Sequence, residues 1–146
     1  MTSDAQLRVF IDTNVLFAAL HSPRGTCSRL LALLISRNAT IVISVDVLSE
    51  LAKNIANKMP HALGALGVLM TEASLEVITR APIPDVRFWT SRGFRSDAAI
   101  VAAALLAGVD YFCTGDRGIL NKAPLCEASG LKLITPADLL RELALQ

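Results

Sequence analysis

Five short runs of β-branched and apolar residues, separated by stretches with helical spacing, most constrain what this chain can fold into. Leu7–Asp12 (LRVFID), Thr40–Val45 (TIVISV), Leu75–Thr79 (LEVIT), Tyr111–Thr114 (YFCT) and Leu131–Thr135 (LKLIT) read as strands. Helices are expected over Asn14–Leu20, Thr26–Ser36, Asp46–Asn57, His61–Ala73, Asp97–Ala107 and Pro136–Ala144. In the segment from Asp46, Val47, Leu48, Leu51 and Ile55 fall on one helical face. Pro136 suits the first turn of the last helix, with Thr135 as its cap. Strands that are apolar at nearly every position need cover on both faces, and strands separated by helices pair in parallel. The expected architecture is α/β: a three-layer α/β/α sandwich around a central parallel sheet of four to five strands.

No repeat, charge block or linker divides the chain, and 146 residues suit a single domain spanning 1–146. A hydrophobic content of 53% excludes a disordered or low-complexity segment. The apolar stretch Ile100–Ala107 is far shorter than the ~18–20 residues that cross a bilayer, so no membrane span is expected. With only five Phe, one Trp and one Tyr, the core must be built from Leu, Ile, Val and Ala. The leading MTSDAQLR carries an acid at Asp4 and lacks the basic-then-apolar order of a secretion leader. Cys27, Cys113 and Cys126 make an odd set without a C-x-x-C pair, so neither a disulfide framework nor a zinc site is expected. Cys113, inside an apolar run, reads as a small buried hydrophobe. A reducing cytoplasm fits this cysteine usage.

The acids carry the functional information. Asp12 ends the first strand, and Glu50 lies in the second turn of the helix after TIVISV. Asp97 follows Ser96, a good cap, and so belongs to a first helical turn; Asp116 sits just past YFCT in TGDRG. In a parallel sheet every strand-to-helix junction lies at the carboxyl edge, where ligands bind. Each acid alone has an ordinary reading as a cap, a turn former or a solvated charge. Four of them mapped to one edge repel one another, and must raise one another's pKa or hold cations. Oxygen-only ligands suit Mg²⁺ or Mn²⁺, one or two ions, which activate water and clamp phosphodiester oxygens. Setting these four aside leaves nine acids against 14 basic residues, a balance of +5 that suits a polyanionic substrate.

VFIDTNVLFAAL, SVDVLSEL, SDAAIVAAALLAGVDYFCTGD and KLITPADLL, in this order and spacing, resemble the PIN-domain family. Within it the chain looks like the VapC-type toxin nucleases, in the branch of toxin–antitoxin components, from Val9 to about Leu140. The resemblance implies a three-layer fold and a Mg²⁺-dependent endoribonuclease that leaves 3′-hydroxyl and 5′-phosphate ends. It matches Asp12, Glu50, Asp97 and Asp116 to the family's metal-binding and catalytic acids. Asn14 and Thr114 match polar residues that support them. It also implies a homodimer and a cognate antitoxin whose tail enters the acidic groove. The departure is RGFRSD, which stands where this branch carries a more acidic run.

Other readings stay open at this point. A non-catalytic PIN-like domain would bind RNA or a protein without cutting. A haloacid-dehalogenase-type phosphatase also begins with an aspartate after strand one, but needs D-x-D where this chain has Asn14. A phosphoacceptor receiver domain would want an acidic pair near the first strand and a lysine just past the last; Lys132 lies inside its strand. His21 and His61 have no evident partner and read as surface or cap residues.

The stretch Arg80–Ser96 holds two prolines, a glycine and four basic residues and reads as an irregular, functional loop. Arg87, Arg92 and Arg95 interleave there with Phe88, Trp89 and Phe94. Arginines for phosphates and aromatics for bases suit single-stranded RNA, with Arg92 and Arg95 as candidate substrate contacts. The competing reading has the aromatics covering a core edge. His61–Met70 (HALGALGVLM) reads as a core helix or an interface between copies.

Overall fold

The computed structural model describes residues 6–145. The leading segment with Asp4 therefore lies outside the described residues. Five strands, β1 (Arg8–Ile11), β2 (Thr40–Ser44), β3 (Ser74–Ile78), β4 (Tyr111–Cys113) and β5 (Leu133–Ile134), form one sheet in the order β3-β2-β1-β4-β5. All four pairings are parallel. β1 is central, and Val9, Phe10 and Ile11 have no exposed surface, as expected for a strand covered on both faces. Phe10 and Phe112 face each other in register and meet edge to face at 5.4 Å, fastening β1 to β4.

The helices are α1 (Thr13–His21), α2 (Thr26–Ser36), α3 (Val45–Lys58), α4 (Leu63–Glu72), α5 (Ile83–Trp89) and α6 (Ala98–Leu106). α7 (Arg117–Leu120), α8 (Ala123–Ala128) and α9 (Pro136–Ala144) complete the chain. α3 buries Val47, Leu51 and Ile55 along its predicted apolar face, and the Ser44 hydroxyl caps it by accepting from the Val47 N–H at 3.2 Å. Thr135 caps α9 as expected, accepting from the Asp138 N–H at 3.1 Å. α6 buries Ala98 and Ile100–Ala104, so its small side chains lie against α3, α5 and β2. No helix among the described residues is long and apolar enough to cross a membrane.

At the amino end of the sheet, Arg8 makes a two-pronged pair with Glu76 at 2.8 and 2.9 Å, and its N–H donates to Asp110 at 2.8 Å. Glu76 and Asp110 are thus both engaged by Arg8.

Several expectations need correction. Arg80–Ser96 is not an irregular loop: it contains α5, then a wide turn over Thr90–Phe94 and a tight one over Arg95–Asp97. Pro82 and Pro84 stand at the start of α5, where a missing N–H costs little. Trp89 and Phe94 are buried and pack edge to face at 5.4 Å, so they belong to the core; Phe88 is exposed. Ser96 is not the cap of α6, because the Arg95–Asp97 turn moves Asp97 itself into that position. α4 is not a core helix either: only Leu66 is buried, while Leu63, Val68 and Met70 are 47%, 53% and 39% exposed.

Candidate metal-binding active site

After β1 the chain builds β2 and β3 on one side, then crosses by α6 to β4 on the other. The carboxyl ends of β1 and β4 are thus the switch point of the sheet, where an open parallel sheet leaves a crevice. Asp12 stands directly past β1 and Thr114 directly past β4. The Asp12 N–H donates to the Cys113 carbonyl at 3.0 Å, which extends the pairing of the two strands by one residue.

Asp12 is 5% exposed and its carboxylate is held from several directions. Oδ1 accepts from the Thr13 N–H at 2.8 Å, which caps α1. Oδ2 accepts from the Thr114 hydroxyl at 2.7 Å and from the Asn14 amide at 3.2 Å. The same Thr114 oxygen accepts from the Asp116 N–H at 3.0 Å, and Asn14 Oδ1 accepts from the Gly115 N–H at 3.2 Å. Asn14 and Thr114 therefore tie the turn after β4 to Asp12. Asp116 Oδ1 accepts from the Ile119 N–H at 3.0 Å and caps α7. A Cβ at Gly118 would press on that capping oxygen at 3.0 Å.

A cavity of about 590 Å³ opens here, and Asp12, Glu50, Asp97 and Asp116 all line it. Burial pushes Asp12 up to about 6, against its hydrogen bonds from Thr114 and Thr13, and the charges of Asp97 and Glu50 add to the rise. Asp97 is likewise raised by burial and by Asp116 and Glu50, with Lys122 opposing. Four carboxylates remote in sequence thus feel one another through one cavity. Their donor set is all oxygen, which fits a hard divalent cation. Among the described residues no three of them converge closely enough to wrap an ion alone. An ion held there would keep several waters, as Mg²⁺ commonly does.

The PIN domain family model matches residues 8–118. The chain belongs to the PIN domain family. Among solved structures it is similar to VapBC2 from Rickettsia felis bound to a DNA fragment from their promoter, with a TM-score of 0.66 and 20% identity, covering 88% of this chain and 98% of that one. It is also similar to PAE2754 from Pyrobaculum aerophilum, with a TM-score of 0.68 and 21% identity over 96% of this chain and 91% of that one. At such identities the likeness speaks to the fold. No curated protein matches the chain by sequence.

In this PIN domain the candidate substrate contacts stand outside the cavity lining. Arg92 rests over the Phe88 ring at 4.2 Å, and neither Arg92 nor Arg95 lines the cavity. Arg95 is exposed and turns the chain toward Asp97 with φ 48° and ψ −116°, a region sparsely populated by side-chain-bearing residues. Sequence reading missed Phe17, His21, Asn54 and Lys58, which line the cavity, and Lys122, whose charge reaches Asp97. Helical spacing from Asn14 (17, 18, 21) and from Glu50 (54, 58) carries that signal.

Thr114→Val is expected to lower stability by about 1–3 kcal/mol at neutral pH, since it removes a donor to Asp12 and strands the Asp116 N–H. Urea denaturation measures this; unchanged stability would show that the link between the two strand ends is not maintained in solution.

Proposed function

We propose that this PIN domain is a metal-dependent endoribonuclease hydrolysing RNA phosphodiester bonds, with Asp12, Glu50, Asp97 and Asp116 as ligands of one or two Mg²⁺ or Mn²⁺ ions. The observation that carries the reading is the gathering of four carboxylates from four chain segments into one cavity at the switch point. When bound, a divalent ion supplies Lewis-acid polarisation of the phosphodiester and lowers the pKa of a coordinated water. The protein's own groups do the rest. Asp12, ionised above about pH 6, is the central ligand, oriented by Thr114 and Asn14. Asp97 and Asp116 face it from the start of α6 and of α7, and Glu50 from α3. The neutral Asn14 stands where a D-x-D phosphatase needs an acid, which favours the nuclease.

The ordered motifs and the fold shared with VapBC2 support a toxin of a toxin–antitoxin pair acting in the cytoplasm, with a cognate antitoxin as partner. The exposed apolar side chains of α4 offer a surface for a homodimer. End-labelled RNA incubated with the protein and Mg²⁺ or Mn²⁺ tests the reading. Fragments ending in 3′-hydroxyl and 5′-phosphate groups support it; intact RNA that stays bound with either metal favours a non-catalytic binding domain.

Arg95 and Arg92 are assigned to phosphates on the rim. Arg95→Ala keeps a Cβ in the same backbone conformation, so its effect reads the charge. It is expected to weaken RNA binding and reduce the salt slope by about one. An unchanged slope in an anisotropy titration would make Arg95 a purely structural turn residue.

A further inference from the structure

The cavity has two chemically different ends. The acids crowd one of them. The other is lined by Phe17, Ala18 and His21 from α1 and by Asn54 and Lys58 from α3. α1 and α3 pack against each other, and both begin at the carboxyl edge of the sheet. Residues 14, 17, 18 and 21 fall on one face of α1, and residues 50, 54 and 58 on one face of α3. The cavity therefore extends along the paired helices, and from Glu50 to Lys58 it follows about 12 Å of helix. Phe17 and Asn54 are half-buried, His21 and Lys58 exposed. Lys58 Nζ stands over the Phe17 ring at 5.7 Å, and His21 meets the same ring edge-on at 6.2 Å. Lys58 forms no ion pair among the described residues. A cation held on an aromatic ring, with a side-chain amide beside it and no carboxylate partner, is equipped for an anionic ligand with a flat apolar part.

We infer that the Phe17–Lys58 end is a nucleotide subsite for the residue flanking the scissile phosphate of a single-stranded RNA. The inference rests on the nuclease reading of the acidic end. Lys58 takes the flanking phosphate and Phe17 gives its base or ribose an apolar platform. Asn54 and His21 offer hydrogen bonds to the base edge or the 2′-hydroxyl. A strand laid along the cavity then presents one phosphate to the acids and the next to Lys58. That arrangement binds RNA through a site whose other end, on charge alone, repels it.

The test pairs binding with cleavage on a single-stranded oligoribonucleotide. In EDTA, Lys58→Gln is expected to lower the salt slope of binding by about one. Lys132→Gln is the control: it removes the same charge from over a different ring, Tyr111 at 4.9 Å, beyond the amino end of the sheet, and should leave the slope unchanged. With Mg²⁺, Lys58→Gln and Phe17→Leu should raise KM several-fold with kcat within two-fold. An abasic nucleotide beside the cut should weaken wild-type binding but not that of Phe17→Leu. An unaltered slope and KM in Lys58→Gln would overturn the subsite while leaving the nuclease standing. Absence of cleavage by the wild type would sink the nuclease reading, yet the EDTA slope would still decide the subsite. Loss of binding to an oligo-glutamate peptide with RNA binding intact would assign this end to a protein partner and overturn the proposal.

Discussion

Asp12→Asn is expected to melt at a higher temperature than the wild type in EDTA at pH 7.5, and to gain almost nothing from Mg²⁺. The wild-type carboxylate is buried beside Asp97 and Glu50, and keeping it ionised at neutral pH costs folding free energy. A shift from 3.8 to about 6 corresponds to about 3 kcal/mol at most. Asparagine keeps the size and one carbonyl oxygen for the Thr114 hydroxyl, though its amide hydrogens need partners of their own. A net gain of about 1–2 kcal/mol is expected for the metal-free variant. The wild type recovers the difference when metal binds: at ten times its Kd an ion specific to the folded state stabilises by about 1.4 kcal/mol. Melting curves with and without metal read both effects. Equal metal-induced shifts in the two proteins would remove Asp12 from the ligand set.

The same carboxylate sets a pH dependence. Its folded pKa lies above its unfolded value, so the folded state binds the proton more tightly between about pH 4 and 6. Stability from this group is therefore present at low pH and lost as pH rises through about 6. Asp97 is shifted in the same direction and adds to the trend. In EDTA the wild type should be more stable at pH 5 than at pH 7.5, by about 1.4 kcal/mol from Asp12 alone. Mg²⁺, which needs the ionised form, should flatten or reverse that slope, and Asp12→Asn should lack the Asp12 share. Greater stability at pH 7.5 than at pH 5 in metal-free wild type would mean that the carboxylates are not crowded.

Much of this was legible in the chain. β1, β2 and the apolar face of α3 are visible because burial on both faces of a sheet, or on one face of a helix, leaves a plain periodicity. The shared edge of the acids follows from the parallel-sheet rule: once strands alternate with helices, the junctions that carry Asp12, Glu50, Asp97 and Asp116 lie on one edge. Over Arg80–Ser96 the sequence points to a loop, because Pro82, Pro84 and Gly93 mark one locally, while the burial of Trp89 and Phe94 that orders the segment is tertiary. α7 and α8 are too short to show a period. α4 is apolar on nearly all sides, so its sequence could not say which side faces out. The Lys58 end of the cavity depends on α1 lying beside α3, a contact no local pattern reports.

Cleavage of RNA at the acidic edge with a bound divalent ion is the proposed activity. It is tested most directly by incubating one single-stranded RNA with wild type and Asp12→Asn, each with Mg²⁺ or with EDTA. Cleavage is expected only in the wild type with Mg²⁺, with 5′-phosphate ends on the new fragments. Equal cleavage by Asp12→Asn, or cleavage that persists in EDTA, would contradict it.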